Sequence, residues 1–349
     1  MIFWLIITAC FIGWIFLFIP TIVYLITTWK TRFENVLSRF KDEAISLYLG
    51  RYFPSDTAPT DNSLRSFFKK RMEMRYGRSH YVMPILLLMV ISGIAIFMVA
   101  FSALKGLKLI TDDTVLPPIA ISALLGAFMW TANDQIERFG TGDFTPNDVY
   151  NCSYRFLIAV PMGISFAAIF KDDAGIPLAF FLGAFPAKTL MTLGRRFVTK
   201  KLDLGDQAAA EKSEMELIQG INRPEAERFQ EEGVTNILQL AYMDPVDMTL
   251  RTNYDFNYVI DCMSQALLWI YLDKNINIDK LRALGLRGAY EAENLSKLLT
   301  SDVLEEKQMA EDNLGEVARI LGIDKNAFKK TLLEVADDPY TTFICNIWE

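Results

Sequence analysis

The sequence predicts an all-α protein: a five-span transmembrane helical bundle followed by a C-terminal cytoplasmic helical domain of helix-hairpin-helix or SAM-like type. Three observations predict it. Five apolar stretches fall within the first 197 residues, and none follows them. The 349-residue chain is 52% hydrophobic, above the usual share of a soluble protein. The last segment is polar and acidic, with apolar residues at helical spacing and few β-branched alternations. The chain then divides into a first span (1–28), a basic cytoplasmic helical loop (29–80), a four-span region (81–197) and an acidic helical domain (203–349).

A hydrocarbon core about 30 Å thick needs about 20 helical residues. The expected spans are Ile2–Thr28, Tyr81–Leu104, Val115–Ala132, Phe156–Phe170 and Ile176–Leu193. The first run is too long for the 7–15-residue apolar region of a signal peptide and has no basic residues before it, so it reads as an uncleaved span. The last three are short and contain Gly126, Gly163, Gly183, Pro161 and Pro186, in keeping with packed membrane helices. No GxxxG pair is present. The spans carry almost no ionisable residues. Lys188, in span five about one turn from the cytoplasmic end, is the candidate pore or interface residue.

The segment between spans one and two sets the orientation. From Trp29 to His80 it holds eleven Lys/Arg, whereas the turns on the opposite side carry Asp112-Asp113 and Asp172-Asp173. The positive-inside rule places this loop in the cytoplasm, the N-terminus outside and, after five spans, the C-terminal domain in the cytoplasm. Phe33, Val36, Leu37, Phe40, Ile45 and Leu49 share a helical face over 32–51, Pro54 to Pro59 break the pattern, and 63–75 reads as a second helix. Lys69, Lys70, Arg71, Arg75 and Arg78 are read as a basic patch held against anionic lipid headgroups.

Residues 203–349 carry 14 Lys/Arg against 28 Asp/Glu, a net charge of −14 that repels nucleic-acid phosphates. The segment Glu216–Asp244 resembles a helix-hairpin-helix unit. Gly220-Ile221 and Gly233-Val234 supply its two tight turns, Pro224 suits a first helical turn, and Thr235 is the expected N-cap of the helix ending at Asp244-Pro245. In DNA-binding members of that family a second glycine in the turn meets a phosphate; here the position is Asn222, which argues for packing or protein interaction instead. Weaker echoes are 278–294 and 317–323.

A wider resemblance rests on Arg75-Tyr76-Gly77-Arg78, Leu182-Gly183-Ala184-Phe185-Pro186, Gly220-Ile221, Glu231-Glu232-Gly233-Val234, Asp244-Pro245-Val246-Asp247, Arg251-Thr252, and Asp261 before Gln265-Ala266-Leu267-Leu268. Over roughly residues 70–275 the chain resembles uncharacterised bacterial multi-span membrane proteins with a C-terminal hairpin-type domain. The resemblance implies the architecture and a bacterial inner-membrane address, and supplies no catalytic residue.

No motif predicts catalysis, a cofactor or a metal. Cys10, Cys152, Cys262 and Cys345 lack metal-ligand spacing, and His80 is the sole histidine. No nucleophile elbow is present. Glu225, Glu227, Glu231 and Glu232 read as a solvated face, and Asp261, Gln265 and Arg251 as a hydrogen-bonded structural set. The expected function is non-enzymatic: a membrane scaffold or sensor whose cytoplasmic domain binds itself or a protein partner, with the lipid bilayer and further copies of the chain as its other partners. The alternative is an oligomeric pore-forming or membrane-disrupting effector of the kind used in bacterial antiviral defence, which the short Gly/Pro-containing spans favour.

Overall fold

The computed structural model describes residues 2–54, 64–107, 116–169, 175–185, 213–272 and 276–348. All regular structure among them is helical. The chain forms two compact units, each built from discontinuous sequence. One comprises Met1–Arg32 and Tyr76–Ala210, the other Phe33–Arg75 and Glu211–Glu349. The loop therefore does not stand alone as the sequence boundaries 29–80 suggest. Residues 33–75 fold with the C-terminal segment.

The first unit holds α1 (Ile2–Phe16), α2 (Ile19–Ile26), the start of α3 (Thr28–Ser38), α6 (Val82–Gly106), α7 (Pro118–Thr141), α8 (Pro146–Ile169) and α9 (Gly175–Ala184). The first expected span is broken at Leu17–Phe18. Pro20 sits in the first turn of α2, and a proline there cannot donate the i→i−4 bond that would continue α1. Among the described residues, two helical stretches, Ile2–Ser38 and Leu64–Gly106, are long and apolar enough to cross a membrane, and little of their most apolar windows is buried, 11% and 22%. No residue of α1 is buried, and Trp4, Leu5 and Ile12 face outward.

Helices α7, α8 and α9 pack against one another through small residues. A Cβ at Gly126 would lie 2.1 Å from the Phe180 carbonyl oxygen, one at Gly183 2.2 Å from that of Ala123, and one at Gly163 2.8 Å from the Ala123 Cβ. Only glycine permits that approach, which brings the helix backbones into dispersion contact. The pairs that do this, Ala123 with Ala127 and Ala179 with Gly183, are small-xxx-small spacings rather than GxxxG. Helices α7 and α8 also outrun their expected spans. α7 continues nine residues past Ala132, and α8 begins ten residues before Phe156.

The second unit holds α4 (Asp42–Tyr52), α5 (Leu64–Tyr76, which ends at the unit boundary), a short 3-10 turn at Glu214–Leu217, then α10 (Arg223–Glu231), α11 (Ile237–Tyr242), α12 (Pro245–Arg251), α13 (Phe256–Tyr271), α14 (Ile278–Ala283), α15 (Ala289–Leu299), α16 (Leu304–Leu321), α17 (Lys325–Asp337) and α18 (Pro339–Trp348). The expected single helix over 32–51 is two helices, with Arg39–Lys41 between them. Its apolar face is nonetheless buried at Phe33, Val36, Phe40, Ile45 and Leu49. Helix α13 is the centre of this unit. Val259, Cys262, Met263, Ala266 and Leu267 are fully enclosed, and α11, α12, α15, α17 and α18 pack around it.

Candidate functional site

The hairpin turns set the frame of the second unit. Gly220 has φ +91° and Gly233 φ +89°. After Gly233 the Val234 amide donates to the Phe229 carbonyl at 3.0 Å, the six-to-one bond of a Schellman cap. The two echoes repeat it: Gly285 (φ +89°) with Leu286 N donating to Leu281 O at 3.2 Å, and Gly322 (φ +71°) with Ile323 N donating to Ala318 O at 3.0 Å. Ile221 and Val234, the apolar partners of the turns, are buried.

Helix α13 holds the first turn. The Gln265 carboxamide pairs with the backbone of Gln219, accepting from its N–H at 3.0 Å and donating to its C=O at 3.1 Å. Tyr258 donates to Gly220 O at 2.9 Å, and Arg282 to Leu217 O at 2.8 Å. Asp261 accepts from Gln265 and pairs with Arg287. Burial raises the Asp261 carboxyl above its ordinary range, and Arg287 opposes this. The expected partner, Arg251, is elsewhere: it pairs with Asp247 at 2.7 Å, one turn back along α12.

The Asn222 amide donates to the Glu225 carboxylate at 3.0 Å, so the group that could meet a phosphate is already used by an acid. Asn236, not Thr235, caps α11, accepting from Gln239 N at 2.8 Å, while Thr235 donates to the Gln239 side chain. The glutamate row is not uniformly solvated. Glu232 is buried against Arg228 at 2.8 Å, and Arg228 also reaches Glu231 and the Arg251 carbonyl.

The most chemically distinctive surface of this unit is where the loop helices meet the C-terminal segment. Phe40 is enclosed by Tyr48 and Phe68 from the loop and by Phe256 from α13, with ring centroids 5.2–5.5 Å apart. Tyr48, fully buried, packs on Phe343 and donates to both carboxylate oxygens of Asp244 at 2.9 Å. That carboxylate also caps α12, accepting from Val246 N and Asp247 N. Tyr52 donates to Met243 O at 2.8 Å, and burial pushes its phenol well up. Arg51 lies 3.6 Å over the Tyr340 ring, close enough for a strong cation–π contact. Arg39 pairs with Asp255 at 3.1 Å. Burial raises the Asp247 carboxyl, with Arg251 first and Arg75 further off opposing it. A segment with eight Lys/Arg and six Asp/Glu thus seats on a segment of strongly acidic charge.

The basic patch is split between the units. Lys69 and Lys70 are exposed on the side of α5 opposite the buried Phe68 and Met72, Arg71 is half-buried, and Arg75 lies 4.9 Å over the Phe53 ring. Arg78 belongs to the first unit, 5.2 Å over the Trp29 ring. Lys188 lies outside the described residues.

The sequence reading missed the polar interior of the first unit. Its signal was present as i, i+3/i+4 spacing of Thr131, Asp134, Gln135 and Arg138, and of Asp148, Cys152 and Arg155. Arg138 bridges Asp134 at 3.2 Å and Asp148 at 3.0 Å. Asp148 accepts from the Thr145 amide and hydroxyl at 2.8 Å. Arg155, 3% exposed, donates to Gly183 O and Leu182 O at 2.8 Å each, gripping the C-terminal carbonyls of α9. None of the four cysteines is in a disulfide. No known protein family, no curated protein and no solved structure matches the chain.

Proposed function

We propose that the protein is a multi-pass bacterial inner-membrane protein, N-terminus outside, that acts without catalysis as a membrane scaffold or sensor through a cytoplasmic helical unit. The observation that carries this is the docking of residues 33–75 on 211–349 in one compact unit. Two segments that share a core lie on one side of a membrane. The chain between them, 76–210, then crosses an even number of times. Helix α6 is one crossing, so an odd number of crossings follows it before residue 211. Three of them give the five-span reading. The eleven Lys/Arg of 29–80 favour the cytoplasmic side for that unit. The resemblance to bacterial membrane proteins with a hairpin-type domain agrees with this address. Its partners are the bilayer, further copies of the chain and a cytoplasmic protein, with nucleic acid disfavoured by charge.

A second reading, an oligomeric pore or membrane-disrupting effector, is favoured by the charges on α7 and α8. Buried and half-buried ionisable groups held close together, here Asp134, Arg138, Asp148 and Arg155, are costly and tend to mark functional sites. The mass of the full-length protein in nanodiscs separates the two. A closed ring of several copies supports the pore. A monomer or dimer supports the scaffold.

A further inference from the structure

Among the described residues of the first unit, three wholly buried polar atoms lack a well-formed hydrogen bond: Thr131 Oγ1 on α7, Arg155 Nη1 on α8, and Gln135 Nε2 on α7, which faces the weakly accepting sulfur of Cys152. Thr131 and Gln135 are 0% exposed and Arg155 3%. Orphaned donors of this kind are rare and costly, more so without water nearby. They are not scattered. Thr131, Gln135 and Arg138 run along one face of α7, and Asp148, Cys152 and Arg155 along one face of α8. The two rows meet, since Arg138 reaches Asp148, the Cys152 thiol lies 3.8 Å from Asp134, and the Gln135 amide faces that thiol. Thr21 from α2 closes the side, donating to Gln135 Oε1 at 3.0 Å.

Water admitted to the seam would offer each of the three atoms a partner. We infer that the α7–α8 seam is a latent water path: a polar interface, closed here, that opens to admit water and small cationic solutes as far as Cys152. Preference for cations follows from the end of the seam where two carboxylates, Asp134 and Asp148, flank Arg138. The inference is independent of the scaffold reading, because it concerns an opening within one unit whatever the other binds.

Cys152 is a native reporter. The test treats the full-length protein in nanodiscs with 2-aminoethyl methanethiosulfonate and with its anionic sulfonatoethyl counterpart. Modification is assigned to each cysteine by peptide mass. In this reaction the thiol sulfur joins the reagent's sulfenyl sulfur, methanesulfinate leaves, and the thiol proton passes to water. The expected result is modification of Cys152 in the folded protein, faster with the cationic reagent. Thr131→Val, and separately the double variant Thr21→Val with Gln135→Leu, replace orphaned or linked polar groups by apolar ones of similar size. Both should hold the seam shut, slowing Cys152 modification by about tenfold while leaving the melting temperature equal or higher. Three outcomes overturn the inference: no modification of folded protein over a time that fully labels a denatured control, equal rates in wild type and both variants, or loss of folding in the variants, which would mean that these groups support the closed packing.

Discussion

Tyr48 shows how much one side chain decides in this protein. Its ring fills the space between Phe40, Phe68 and Phe343, and its hydroxyl donates to the carboxylate that caps α12. Tyr48→Phe keeps the packing and removes a bond to a charged acceptor, so the melting curve of the full-length protein should show a loss of about 1–2 kcal/mol. Gly233 isolates a different effect. A Cβ there meets no heavy atom within 4 Å, so Gly233→Ala should cost about 1 kcal/mol through its positive φ alone. Glu311 gives a pH signature. Hydrogen bonds from Lys325 and Lys329 hold its carboxyl down at about 2. A depressed acid stabilises the fold above its unfolded pKa of about 4.3, and this is lost as pH falls through the folded value. Glu311→Gln should therefore lower the melting temperature at pH 7 and hardly change it at pH 2. The side chain is about a quarter exposed, so the effect is small and shrinks with salt.

Among the elements, the loop helices α4 and α5 and the start of the bundle at α7 and α9 carry the consequences. Residues 203–349 expressed alone would expose Phe256, Phe343 and the Asp244 carboxylate that the loop covers. That fragment should aggregate or melt early, and a peptide of residues 33–75 added in trans should restore a cooperative transition; equal stability with and without the peptide would contradict the docking. In the bundle, Gly126→Leu sets a side chain against the Phe180 carbonyl. It should separate α7 from α9 and raise protease sensitivity in nanodiscs, whereas Gly106→Ala, at a site with open space, should change nothing. The apolar face of the loop was legible from helical spacing, because Phe33, Phe40, Ile45 and Leu49 fall on one side of a 3.6-residue period. What that face packs against was not legible, since a period reports burial and carries no information on the partner. The same limit hid Arg155: its place in the chain looks like the edge of a span, and only α9's carbonyls explain why a charge is buried there.

For the whole molecule, the two discontinuous units turn topology into a measurement. A thiol reporter introduced near residue 58 and another at Glu349 should label from the same side of the membrane in intact cells, the cytoplasmic one. Labelling from opposite sides would break the even-crossing argument and the five-span arrangement with it.

Composition and periodicity by themselves determined that the chain is helical, that its first part holds stretches apolar enough to cross a membrane, and that Gly220 and Gly233 mark turns. Those properties follow from residues near one another in sequence, through helix period, transfer free energy and the φ range glycine allows. Tertiary structure alone decided that the loop belongs to the C-terminal unit, that Asp244 receives Tyr48, that Arg251 serves Asp247 rather than Asp261, and that a polar seam lies between α7 and α8. Each of these joins residues distant in the chain, and such pairing depends on which surfaces meet when helices pack, which local spacing does not encode.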